Sequence, residues 1–135
     1  MKINKIQIFI MLLVLVIFSL ACGFSVSTAT ITGAYLSANS DGSGQTTVFS
    51  GDQTFYCIVE VANAPDDTTL KAVWIAVDVD GVEPNYVIDE ASIITNGQNR
   101  FTFDLQIDSL WPSGTYKVDI YLNDSLDRTL EFSVN

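Results

Sequence analysis

The sequence predicts an all-β domain, seven short antiparallel strands folded as a two-sheet sandwich, and three observations predict it. From Thr28 onward apolar residues recur with a period of two, not the helical period of about 3.6. Those runs are rich in Val, Ile, Thr, Tyr and Phe, which suit a pleated, half-buried surface. Clusters of Gly, Asn, Asp, Ser and Pro separate the runs, as turns between strands require.

In chain order, the first element is a leader over residues 1–21. Lys2 and Lys5 make a short basic start, and residues 8–20 are thirteen positions without a charge. This is the plan of a signal peptide helix; a membrane-spanning helix needs about 20 apolar residues. Small residues at Ser19 and Ala21 permit cleavage before Cys22. The stretch Ser19-Leu20-Ala21-Cys22 resembles the lipobox of bacterial lipoproteins, Ala21 and Cys22 matching it while Ser19 and Leu20 depart from its usual residues. The resemblance implies that the Cys22 thiol receives a diacylglycerol, and two acyl chains suffice for stable attachment to a membrane. It implies an outward-facing lipoprotein of the bacterial cell envelope; ordinary cleavage before Cys22 would give a secreted protein instead. Residues 22–27 then form a tether, and 28–135 the folded domain.

The expected strands are 28–37, 53–63, 69–79, 85–95, 99–108, 114–123 and 126–134. In the second, Cys57 is in phase with Phe55, Val59 and Val61 and should be an inward, apolar residue. In the third, Val73, Ile75, Val77 and Val79 share one face, Trp74, Ala76, Asp78 and Asp80 the other. Burying unpaired carboxylates is unfavourable, so the Val/Ile row is expected to face the core and Trp74 the solvent. Asn96-Gly97 suits a two-residue hairpin turn, which would pair the fourth strand with the fifth. The fifth alternates cleanly, with Phe101, Phe103, Leu105 and Ile107 inward. Asn123-Asp124-Ser125 closes a terminal hairpin that sets Tyr116, Val118, Ile120 and Leu122 beside Leu130, Phe132 and Val134.

Seven such strands in about 105 residues fit an immunoglobulin-like or fibronectin III-like Greek-key sandwich better than a barrel. The segment Leu110-Trp-Pro-Ser-Gly-Thr-Tyr116 resembles the tyrosine corner of these sandwiches, which implies that the Tyr116 hydroxyl bonds back to the preceding corner. In antibody-type domains a Cys follows that Tyr by two residues; here Val118 stands there, so no inter-sheet disulfide forms.

The composition excludes several functions. Without the two leader lysines, four basic residues face sixteen acidic ones, a net charge of −12. Lys71, Arg100, Lys117 and Arg128 are too few and scattered to follow a phosphate backbone, so no nucleic-acid partner is expected. There is no histidine, which removes Ser-His-Asp and Cys-His catalysis and the commonest nitrogen ligand of metals. The carboxylates fall mainly in turns and on outward strand positions with no pair singled out, so neither an enzyme nor a cofactor is expected; a small hydrolase is the remote alternative. Two fragments carry oxygens at calcium-like spacing, Asn39 to Gly44 and Asp78, Asp80 with Asp89. The first has Ser50 at the twelfth position where a calcium loop needs Glu, the second has Glu83 where it needs Gly, and no metal is assigned.

An outward Trp74 would share a surface with Asp119 and Tyr121 of the neighbouring strand, an aromatic patch able to stack on a sugar or meet a protein. The expected function is thus a tethered, non-enzymatic module binding a protein or polysaccharide. The alternative is a structural or accessory envelope protein that assembles through sheet edges. Exposure of Trp74 favours the first; its burial together with a long unblocked edge strand favours the second.

Overall fold

The computed structural model describes residues 28–135; the leader and the expected lipid attachment at Cys22 lie outside the described residues. Eight strands follow one another: β1 (Thr30–Ser37), β2 (Val48–Phe49), β3 (Phe55–Ala62), β4 (Thr69–Val79), β5 (Tyr86–Ile94), β6 (Arg100–Leu105), β7 (Gly114–Leu122) and β8 (Ser125–Val134). They form a three-stranded sheet, β1-β3-β6, and a five-stranded sheet, β2-β8-β7-β4-β5. The seven expected strands are all present. The eighth, β2, is two residues paired parallel to β8, too short to show a period in the sequence.

Between the sheets lie the alternating rows. Phe55, Cys57, Val59 and Val61 come from β3, Phe101, Phe103 and Leu105 from β6, and Tyr116, Val118 and Ile120 from β7. One end of the core is aromatic: Phe55 stacks on Trp111 with centroids 4.7 Å apart and meets Phe132 edge-on at 4.9 Å. Tyr116 stacks on Phe132 at 5.4 Å. Its hydroxyl donates to the Pro112 carbonyl at 2.6 Å, the back-bond that a tyrosine corner implies. Such a bond lets a polar atom enter the core without an unpaired donor.

Cys57 is fully buried, and burial pushes its thiol up to about 12. The folded domain should therefore resist alkylation at pH 8 and take up one equivalent of reagent at Cys57 only after unfolding; labelling followed by intact mass measures this. The same shift has a pH consequence. The unfolded thiol ionises near 9.0 while the core keeps its proton, so this contribution is complete below pH 9 and declines as pH rises toward 12.

Asn123 and Asp124 both adopt positive φ, 48° and 65°, and Leu122 pairs with Ser125. The terminal hairpin is thus a two-residue turn of the expected kind. Asn96-Gly97 is not a hairpin: β5 pairs with β4 and β6 with β3, so this turn crosses between sheets. Thr95 directs the crossing. It is buried, its N–H donates to the Thr68 carbonyl at 2.8 Å and its hydroxyl to the Pro65 carbonyl at 3.0 Å. These bonds tie the chain to the β3–β4 connection before it can fold back on β5. The β6 strand also ends two residues before Ile107, which is 41% exposed instead of inward.

The expected orientation of β4 is reversed. Leu70, Ala72, Trp74 and Ala76 face the core, and Trp74 is 1% exposed. A bulge between Ala76 and Asp78 leaves Val77 unpaired and shifts the register, so the following residues change face. Asp78 stays in water and Val79 turns inward. The carboxylates on which the outward placement of Trp74 rested are beyond the bulge, out of phase with it.

Candidate interaction surface

Trp74 meets Phe132 edge-on inside the core, 6.1 Å between centroids. It lies on the opposite side of the sheet from Asp119 and Tyr121, so the three residues are not one surface. The latter two sit on the outer face of the five-stranded sheet, where Asp119 pairs with Val73 and Tyr121 with Lys71.

That face is closed by its own side chains. The Thr129 hydroxyl donates to Asp119 Oδ1 at 2.6 Å, and Lys117 Nζ lies 3.5 Å from Oδ2. Asp119 is accordingly only 6% exposed. Lys71 Nζ stands 4.5 Å from the centroid of the Tyr121 ring, a cation–π contact that occupies the face a sugar would stack on. Neither residue is free in the way an aromatic binding patch requires.

The Asn39 to Gly44 loop is likewise committed. Asp41 Oδ1 accepts from the Ser43 N–H at 2.9 Å and the Ser43 hydroxyl at 2.6 Å, and these bonds hold its carboxyl below the usual range. Arg100 Nη2 donates to the Asp41 carbonyl at 3.0 Å and to the Tyr35 hydroxyl at 2.8 Å. The loop and these side chains cover Ile58, which is fully buried on the outer side of β3. Covering Ile58 accounts for the loop without a cation. The second acidic fragment does not converge either: Asp78 pairs opposite Thr115 on one side of β4, and Asp89 opposite Trp74 on the other. A shallow polar hollow of about 340 Å³ over β3 is lined by the exposed or half-exposed Thr32, Glu60, Asn99 and Arg100 and by the buried Val61.

The sheet edges differ more than the faces. β2 is two residues long. β1 is bound along its rim by Arg128 Nη2, which donates to the Ile31 carbonyl at 2.9 Å, and by the Thr46 N–H, which donates to the Leu36 carbonyl at 3.1 Å. β6 is six residues long, and its exposed side chains, Arg100, Thr102 and Asp104, are polar. β5 is nine residues long and pairs only with β4. Seven of its residues are exposed, among them Tyr86 at 53%, Val87 at 51% and Ile94 at 66%.

No protein-family model and no curated protein matches the chain. Solved structures do. An immunoglobulin-like protein from Pseudomonas aeruginosa superposes with a TM-score of 0.52 at 14% identity, over 83% of this chain and all of that one. The C-terminal domain of Wzt does so with a TM-score of 0.50 at 13% identity, over 83% of this chain and 76% of that one. The fold is immunoglobulin-like. Within this immunoglobulin-like sandwich β5 is an outer strand of the five-stranded sheet, with Ile88 and Ile93 packed against the core and its other residues exposed. Sequence reasoning missed β5 as a surface. Its signal was apolar residues on consecutive positions, Tyr86 to Ile88 and Ile93 to Ile94, around the acids Asp89 and Glu90. Consecutive apolar residues alone mark burial on both faces; the adjacent acids Asp89 and Glu90, one on each face, are what set this strand apart, while Ile88 and Ile93 pack against the core.

Proposed function

We propose that the chain is an exported, lipid-anchored, non-enzymatic module of the bacterial cell envelope that holds a protein partner along the open edge of β5. The carrying observation is β5 itself: nine residues, one neighbour, and three exposed large apolar side chains. An unpaired edge offers a row of backbone donors and acceptors that an extended segment can complete, with side chains on both faces for selectivity. A protein has such a backbone; a polysaccharide does not. The buried Trp74 and the Lys71-covered Tyr121 withdraw the support for a sugar platform.

The anchor is compatible with this placement. Thr28 bonds to the Asn63 carbonyl, at the end of the sandwich that also carries the β5–β6 and β7–β8 turns. Attachment at Cys22 would turn that end to the membrane and leave the flank of β5 accessible. Residues 28–135 carry all eight strands and the core cluster found among the described residues, so this fragment serves as the bait. It should retain a protein from envelope extracts, retain it equally with Tyr121→Ala, and lose it with Val87→Lys/Ile94→Lys. Loss with Tyr121→Ala alone would return the site to the outer sheet face. Intact mass of the mature N-terminus tests the anchor, with a diacylglycerol on Cys22 the expected result.

A further inference from the structure

The identity of the segment that β5 receives is written in its charge pattern, and this inference rests on the reading of β5 as the binding edge. Along the strand, Tyr86 and Val87 are followed, past Ile88, by Asp89 and Glu90, then by two small residues, Ala91 and Ser92, and finally by Ile93 and Ile94. Adjacent residues of a strand point to opposite faces. Opposite β4, Val87, Glu90, Ser92 and Ile94 take the outer side with Ile75, Val73, Lys71 and Thr69, while Tyr86, Asp89, Ala91 and Ile93 take the other with Ala76, Trp74, Ala72 and Leu70. Asp89 and Glu90 thus place one exposed carboxylate on each face at the middle of the edge, Asp89 Oδ1 accepting from the Glu90 N–H at 2.9 Å and its other oxygen left to meet a cation.

A second copy of the chain is disfavoured there. Antiparallel self-pairing about the middle of β5 brings the Asp89 and Glu90 carboxylates of both copies within about 7 Å, two strand residues, and like charges facing each other across strands are destabilising. The whole domain adds to this with its net charge of −12. The bulge between Trp74 and Ile75, which leaves Ile88 unpaired, twists the edge further from self-pairing. The acids therefore guard the edge against its own kind while attracting the opposite charge.

We propose that β5 accepts an extended segment of a cationic protein in which two adjacent basic residues are flanked on both sides by aliphatic or aromatic ones. One basic side chain would meet Glu90 on the outer face and the other Asp89 on the inner, with the apolar flanks lying beside Tyr86 and Val87 at one end and Ile93 and Ile94 at the other.

The test uses fragment 28–135 and two synthetic nine-residue peptides, alike in their terminal valine and isoleucine pairs but carrying two lysines or two glutamates at the centre. The dilysine peptide should bind, slow amide exchange across residues 86–94, bind more weakly as salt rises, and exceed the diglutamate peptide by about tenfold or more. Asp89→Lys/Glu90→Lys should reverse that preference, and Asp89→Asn/Glu90→Gln, which keeps the side-chain size should the first variant not fold, should abolish it. Equal binding of both peptides with protection of β5 would overturn the charge inference and leave the edge reading standing. So would concentration-dependent dimerisation of the wild type through β5. Binding of neither peptide, with no change in exchange at residues 86–94, would overturn both.

Discussion

Trp74→Ala is expected to lower the stability of the domain by about 3–5 kcal/mol, the range for removing a large aromatic from a core. Trp74 is 1% exposed and packs among Leu70, Ala72, Ala76, Val118 and Phe132 in one cluster. Its neighbours along the inner row of β4 are alanines, Ala72 and Ala76, which leave room for the indole and cannot close over the space it vacates. Urea denaturation of the 28–135 fragment measures the loss. Tyr121→Ala, on the half-exposed outer face, should fall within about 1 kcal/mol of wild type. A small loss for Trp74→Ala would mean that the indole is not part of the core. Because Trp74→Ala unfolds more readily, any loss of binding it causes reports on folding, and only the Tyr121 variant examines the outer face.

Gly114→Ala is the second large effect. Gly114 begins β7 with φ at +151°, a backbone that side chains rarely adopt. It lies between Val79 of β4 and Val134 of β8. An added Cβ would sit 2.7 Å from the Val79 Cα and closer still to the Asp78 carbonyl oxygen. Both obstacles are backbone, so no rotamer relieves them. Strain at such a φ and overpacking each account for about 1–3 kcal/mol, and a loss of about 2–5 kcal/mol is expected in the same denaturation experiment. The position also explains the bulge in β4: Asp78 and Val79 are held against Gly114 and Thr115 one step out of the register that Trp74 and Ala76 follow.

That bulge marks the limit of what the sequence discloses. Strands with one wet and one dry face were legible because alternation states the answer twice, as in Phe101, Phe103 and Leu105 against Arg100, Thr102 and Asp104. The core position of Cys57, the Tyr116 corner and the terminal turn at Asn123-Asp124 followed from residues within a few positions of one another. β4 defeated the same reasoning. It is apolar on both faces from Val73 to Val77, so its orientation rested on Asp78 and Asp80, and one inserted residue cancelled their phase. The Asn96-Gly97 turn had the right residues for a hairpin, but its partner was decided by bonds from Thr95 to Thr68 and Pro65, about thirty positions away. Of the expected surface, Asp119 and Tyr121 were placed on the correct face. Their closure by Thr129, Lys117 and Lys71 depends on cross-strand neighbours whose register no local pattern gives. β5 was read as a strand, yet its value as an edge comes from sheet order.

The burial of Trp74 and the one-sided pairing of β5 bear on the two functions the sequence left open. Trp74 is buried, and β5, the longest edge strand among the described residues, has a neighbouring strand on one side only, its Glu90 N–H bonded to Asp89 Oδ1 at 2.9 Å; we read this combination as favouring assembly through a sheet edge.

Hydrogen exchange of the captured complex tests that choice most directly. Slowed exchange concentrated in residues 86–94, with the β7 and β8 amides unchanged from the free domain, is the expected result. Unchanged exchange in β5 together with new protection in residues 114–134 would contradict it and assign the contact to the outer sheet face.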